Sequence, residues 1–224
     1  QAILNERGES NLPHLVEAAR GRCVAAHFGT YDYTASYSIT ATYQAMRHPA
    51  CDFAKHAMKV ALAGTGVWLC DGATNVLPVA PHGPAKEGAR LTPRQVKENR
   101  EAVHRAWKLH YDDIQHSLVN AYYQGWDLHP AQLPTRYAAV YAFFLDALEA
   151  ASQRLRNLVE KAAQATLAGA VFDDAATGQG LLNFFLRALN CGAITEREAQ
   201  QLTSLTLAEL RSGSFVKILK DRTG

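Results

Sequence analysis

Arg22-Cys23-Val24-Ala25-Ala26-His27-Phe28 is an apolar run that stops at Gly29-Thr30-Tyr31-Asp32. Two further runs share its form: Gly66-Val67-Trp68-Leu69-Cys70 stops at Asp71-Gly72, and Gly125-Trp126-Asp127-Leu128 stops at His129-Pro130. Short apolar runs of this kind read as buried parallel strands, each opening into a loop at its carboxyl end. Helical patterns lie between them. Pro49 and Gly64 bracket a segment whose Phe53, Ala57 and Val60 follow the 4, 3 spacing of a helix face. Thr92-Pro93-Arg94-Gln95 is a capping box with Pro at the first helical position. It predicts a helix over 93–110 with Val96, Val103 and Trp107 inward, followed by a second short helix from Asp113 to Gln124. The order strand, helix, strand, helices, strand, helix is the repeat of an α/β fold.

After Pro130 the pattern changes. Tyr137, Tyr141, Phe144, Leu148, Ala151, Leu155, Leu158 and Ala162 recur at alternating spacings of four and three, and no Gly or Pro falls between Pro134 and Gly169. One helix of about 50 Å is expected there, at 1.5 Å per residue. Its stripe reads as core packing or as a subunit contact. Past Gly169 comes the loop Val171-Phe172-Asp173-Asp174-Ala175-Ala176-Thr177-Gly178, then a helical tail in which Thr195-Glu196-Arg197-Glu198 forms another capping box, with Ile194 and Ala199 placed for a weak hydrophobic staple. Residues 75–92 hold Pro78, Pro81, Gly83, Pro84 and Gly88 and are too long for an ordinary connection; loops of that length are often lids or binding loops.

Composition narrows the classes. In 224 residues, 48% are hydrophobic and 20% charged, which excludes disordered, collagen-like and disulfide-scaffold proteins. A net charge of +2 gives no basic field for nucleic acid or an acidic membrane, so neither is an expected partner. Cys23, Cys51, Cys70 and Cys191 lie far apart with no C-x-x-C pair, which fits buried thiols in a reducing compartment and predicts a cytoplasmic location. No apolar run approaches the ~20 residues of a membrane span. The first residue is Gln1, not Met, which suggests a processed or truncated chain.

Several catalytic signatures are absent. There is no phosphate-binding G-x-x-x-x-G-K-[ST], Gly64-Thr65-Gly66 opens a strand and not a helix, and no G-x-S-x-G elbow occurs. His104, His110 and His116 stand six apart, so they do not converge on a metal by helical spacing and read as surface or satisfied histidines. The strand ends say more. Asp32 follows a Gly whose bare backbone admits close approach, and an open-loop Asp is the hard oxygen donor that Mg²⁺ prefers; the alternative is a cap on the next helix. Asp71-Gly72 could be a plain turn, and His129-Pro130 a helix start. All three, however, fall at the carboxyl ends of successive strands, where α/β barrels keep their active sites.

Gly125-Trp126-Asp127-Leu128-His129-Pro130-Ala131-Gln132-Leu133 resembles the Gly-aromatic-Asp…His-Pro-x-Gln-Ile/Leu motif on the last barrel strand of the citrate lyase β-subunit-like (HpcH/HpaI aldolase) family. Gly29-Thr30-Tyr31-Asp32 is similar to that family's Gly-Thr-x-Asp loop, and Ala61 to Gly72 resembles its alanine-rich helix and strand ending in Asp-Gly. The likeness covers roughly residues 1–145. Gly29-Thr30-Tyr31-Asp32-Tyr33, Asn75-Val76-Leu77-Pro78 and the long helical tail also resemble an aldolase-like branch, over nearly the whole chain. The resemblance implies the C-terminal portion of a TIM (β/α)8 barrel, about three strands over 1–145, followed by a helical extension over 146–224. It implies a Mg²⁺-dependent carbon–carbon lyase or aldolase acting on a 2-keto acid, 3-hydroxy acid or acyl-CoA compound, in which the ion stabilises a developing enolate. Asp32 would bind the metal, the backbone amides of Gly29 and Thr30 would face the substrate carboxylate, and His129 would position substrate or brace the loops. Gly169-Ala170-Val171-Phe172-Asp173 resembles a segment by which some relatives reach a neighbouring subunit's site, making Asp173 a candidate acid or base; the alternative is a helix cap. A homo-oligomer is implied. The family's second metal ligand, a Glu, and its carboxylate-binding Arg correspond to positions before Gln1, so an incomplete fragment with weak Mg²⁺ binding is expected. The competing expectation is a non-catalytic protein that binds a keto acid or phosphoenolpyruvate and oligomerises through its helices.

Overall fold

The computed structural model describes residues 3–84, 89–167 and 175–223. The chain divides into two compact units, Gln1–Ala139 and Val140–Gly224. The first holds α1 (Leu12–Ala18), β1 (Ala25–His27), α2 (Thr30–Ser36), α3 (Pro49–Leu62), β2 (Trp68–Ala73), α4 (Pro93–Val119) and β3 (Gln124–Trp126), with 3₁₀ turns at Ala41–Tyr43 and Pro130–Gln132. α5 (Leu133–Leu167) begins in it and continues into the second unit, which adds α6 (Ala175–Asn190), α7 (Glu196–Thr203), α8 (Leu207–Arg211) and α9 (Phe215–Thr223).

The expected barrel portion is corrected by this architecture. The described residues are mostly helical, and their three short strands form one open sheet in the order β1-β2-β3. Both pairings are parallel, with Ala26 opposite Leu69 and Cys70 opposite Gln124, and the second shifts register between Cys70 and Ala73. A barrel closes when its last strand pairs back onto its first. Here β1 and β3 each pair only with β2 among the described residues, and each is three residues long. Most of the apolar run at 22–28 is therefore flank, not strand.

Local signals decided the helix ends. The Thr92 hydroxyl accepts from the Gln95 amide, the Gln95 side chain accepts from the Thr92 amide, and Pro93 opens α4. Thr195 and Glu198 form the same box on α7, as do Thr206 and Glu209 on α8. The interior of α4 departs from expectation: one helix runs through Asp112 and Asp113, where two were predicted. Its buried stripe is Ala106, His110, Asp113, Ile114, Ser117 and Leu118, while Val96 is exposed. α3 occupies the predicted segment but is rotated. Cys51, Ala54, Lys55, Met58 and Leu62 are buried, and Phe53 and Val60 are 53% and 82% exposed.

Residues 75–84 of the long loop are anchored at both ends. Tyr31 Oη donates to Ala73 O and accepts from the Asn75 amide, and His82 is held by Asn99 and Glu98 of α4. Beneath this end of the sheet, Thr30 Oγ1 and Met46 Sδ sit against Gly72, where any Cβ would collide with them.

The second unit has its own core, built from Phe144, Leu155, Leu182, Phe185, Leu210, Phe215 and Ile218. The Phe215 ring occupies the space beside Gly178 that a Cβ would need, so α6 and α9 approach closely only with Gly at 178. On its rim, Arg222 donates to both Glu209 oxygens. These bonds, with those from Thr206, take the Glu209 carboxyl from its ordinary 4.5 to about 2. A depressed folded value means the stabilisation is complete above 4.5 and fades as pH falls towards about 2. Protection of the Phe215–Thr223 amides, taken relative to the intrinsic exchange rate at each pH, should therefore fall across that window in the wild type, and much less in Arg222→Gln; an equal fall in both would remove the pair from the account.

Candidate functional site

Polar side chains gather at the carboxyl ends of all three strands, with different fates. β2 runs on past the expected stop at Asp71-Gly72, and in its carboxyl half Asp71 is 1% exposed and accepts from Lys55 Nζ at 3.1 Å, from Ser117 Oγ at 2.6 Å and from the Gly72 amide at 2.8 Å. Lys55, equally buried, reaches Asp52 as well at 3.3 Å, and His116 Nε2 lies 2.8 Å from the same Asp52 oxygen. Burial alone would raise the Asp52 carboxyl; the His116 and Lys55 contacts hold it below its ordinary value. Tyr122 Oη donates to Lys55 O at 2.6 Å. α3, β2 and α4 are thereby tied by one set of charges.

A second network joins β2 to β3. Thr74 Oγ1 donates to Asp113 Oδ2 at 2.7 Å; that uses its single proton, so it accepts from His110 Nδ1 at 3.1 Å. His110 Nε2 lies 2.9 Å from Asp127 Oδ1. Arg136 Nε and Nη2 form a fork on Asp127 at 3.0–3.2 Å, and Nη2 also reaches Trp126 O. Burial would raise the Asp127 carboxyl, but the His110 ring and Arg136 take it below its ordinary value. For Asp113 burial prevails over Thr74 and Arg47, and its carboxyl is raised. Gln132, fully buried, donates to Thr74 O and accepts from the Leu128 and His129 amides.

The end of β1 is different. A cleft of about 340 Å³ opens there, lined by apolar Ile3, Leu12, Phe28 and Met58 together with His27, Gly29, Asp32 and Tyr33. Asp32 is exposed, has no hydrogen-bond or ion-pair partner among the described residues, and places Oδ2 3.5 Å from where a Gly29 Cβ would stand. Tyr33 Oη is buried beside Tyr37, and that burial holds its hydroxyl above its ordinary value. A mostly apolar cleft with a few convergent polar groups is the usual form of a small-molecule site.

The structure thus brings Gly29 and Asp32 together on one cleft. Thr30, expected to offer its backbone amide, is not among the lining residues, and its side chain is 1% exposed with its hydroxyl facing Met46 Sδ at 3.2 Å. His129 caps the Pro130–Gln132 turn, where Nδ1 accepts from the Ala131 amide at 3.1 Å. Asp173 lies outside the described residues. Among the described residues no group of three or more His, Cys, Asp or Glu side chains could hold a metal ion. Sequence reasoning missed Lys55, Ser117 and His27, and it read His110 as a surface or satisfied histidine; it is buried against Thr74 and Asp127. A signal existed for two of them: Lys55 and His110 sit within the apolar stripes of their helices, where an ionisable group needs a partner.

Removing one partner of a buried ion pair leaves an uncompensated charge. Lys55→Met is expected to cost about 3–5 kcal/mol of unfolding free energy in urea titrations, and Asp71→Leu added to it should recover part of the loss. A cost below about 1 kcal/mol, the size seen for surface pairs, would show that Lys55 does not hold this network together.

No curated protein and no solved structure matches the chain. The family model that does match, over residues 1–218, is described as a domain of unknown function, DUF6986. The cleft at the end of β1 and the buried charge networks beside it are therefore features of a chain that belongs to the DUF6986 family.

Proposed function

We propose that the chain binds a small carboxylic or keto acid at the cleft beside β1 and takes part in Mg²⁺-dependent carbon–carbon bond cleavage or formation, as a lyase or aldolase, with Asp32 a metal ligand and the Gly29 backbone beside the substrate carboxylate. One observation carries this reading. Of the acidic groups at the three strand ends, Asp71 and Asp127 are spent on Lys55 and Arg136, whereas Asp32 stands exposed on a cleft without a partner among the described residues. The likeness of Gly29-Thr30-Tyr31-Asp32 to a metal-binding aldolase loop supports the same assignment.

The donor set suits Mg²⁺ as a single protein ligand. That ion is commonly held by one or two carboxylates, with water and substrate oxygens completing its octahedron. When bound, it supplies Lewis-acid polarisation of the carboxylate and keto oxygens of the acid. Gly29, with no side chain, leaves room for the substrate to lie against the Asp32 carboxylate.

A second reading, binding without catalysis together with self-association, is favoured by the fact that His129 uses its Nδ1 in the fold. In either case the chain works as a homo-oligomer in the cytoplasm, a compartment suited to its four free cysteines. No helix among the described residues is long and apolar enough to cross a membrane.

The test is metal binding and turnover in the same protein. Calorimetric titration with Mn²⁺ or Mg²⁺ should show weak binding that Asp32→Ala abolishes, with EDTA-sensitive cleavage of 2-keto or 3-hydroxy acids lost in parallel. Metal-dependent activity unchanged in Asp32→Ala would remove Asp32 from the site. Metal and acid binding without turnover would favour the second reading.

A further inference from the structure

His27 lines the same cleft as Asp32, and its ring is engaged at one nitrogen. Trp126 Nε1 lies 2.5 Å from His27 Nδ1, with the two ring centroids 5.2 Å apart. An indole N–H can only donate, so His27 Nδ1 must be the acceptor; a neutral imidazole with Nδ1 bare carries its proton on Nε2. That Nε2–H has no partner among the described residues, and His27 is exposed.

The donor is itself held in place. Trp126 O accepts from Arg136, and the adjacent Asp127 is forked by the same guanidinium. His27 is the last residue of β1, and Gly29 two positions on is the N-cap of α2; both line the cleft. Asp32 Oδ2 comes within 3.5 Å of the Gly29 Cβ direction.

We infer that His27, set as the Nε2–H tautomer by Trp126, is an oxyanion-binding residue of the cleft and donates a hydrogen bond to an oxygen of a bound carboxylate or 2-keto acid. The inference rests on the carboxylate-binding reading above and adds the residue that would face the ligand's negative charge. A neutral imidazole donor is suited to this task because it can polarise an oxygen without giving up its proton.

The experiment uses the full chain and oxalate, a stable anion with the paired oxygens of a 2-keto acid. Long-range ¹H–¹⁵N spectra of the histidine rings should show His27 protonated at Nε2 and bare at Nδ1, and oxalate with Mg²⁺ should shift Nε2. By calorimetry His27→Ala should weaken oxalate about tenfold or more, the loss of one hydrogen bond to a charged group. His27→Gln, whose amide N–H reaches the Nε2 position, should restore part of that affinity, and His27→Asn should not. Trp126→Phe, which keeps the ring but removes the donor, should release the tautomer and weaken oxalate in the same direction.

A ring protonated at Nδ1, an oxalate affinity untouched by His27→Ala, or no oxalate binding to the wild type would each overturn the inference. The two readings fail separately. Metal binding lost in Asp32→Ala while His27→Ala leaves oxalate unaffected keeps the metal site and sinks the role of His27. Oxalate binding that needs His27 but is indifferent to Mg²⁺ and to Asp32→Ala does the reverse.

Discussion

Lys55 and Asp71 face each other at 3.1 Å, each 1% exposed, and the first unit is arranged around the need to keep them paired. An ammonium and a carboxylate lose their water in such a place, and their attraction compensates only where the remaining lone pairs and protons also find partners. Ser117, the Gly72 amide and Asp52 meet that requirement. Because these groups come from α3, β2 and α4, satisfying one buried charge sets three elements against one another. The pair acts more as a constraint on where those elements can lie than as a source of net stability.

The same demand runs on into β3. Asp113, His110, Thr74, Asp127 and Arg136 form a continuous set of polar contacts, and Gln132 joins the ends of β2 and β3 through backbone groups. Two of the three strand ends therefore have their polar residues committed to the fold. What distinguishes the β1 end is that the Asp32 carboxylate and His27 Nε2 are left over around a cleft whose walls are otherwise mostly apolar. Available polar groups, not polar groups as such, are what a ligand can use.

Residues with local signals were legible in the sequence. Thr92 and Thr195 announce their helices because a capping box is complete within four residues, and the run from Pro134 to Gly169 reads as a long helix, observed over Leu133–Leu167, because nothing interrupts its spacing. The face of α3 was misread for a definite reason. Its buried stripe contains Lys55, so a search for apolar spacing settles on Phe53, Ala57 and Val60 instead. The two-helix reading of 93–124 failed similarly: Asp112-Asp113 resembles a helix start, but Asp113 stays within α4 because Thr74 and Arg47 bind its carboxylate from elsewhere. The barrel expectation rested on motif order, which says nothing about whether a sheet closes.

By itself the sequence determined the capped starts of α4 and α7 and the three apolar runs from which the strands come, and it placed Gly29 and Asp32 three positions apart, since each depends on residues close in the chain; the open loop expected for Asp32 is instead the first turn of α2. Only the tertiary structure decided that the sheet is open, that Asp71 and Asp127 are neutralised while Asp32 is not, and that Trp126 reaches His27 across 99 positions of chain. The physical reason is common to all three. Whether a charge is paired, or a ring nitrogen is donor or acceptor, is settled by the atom opposite it, and in this protein that atom comes from a distant part of the chain.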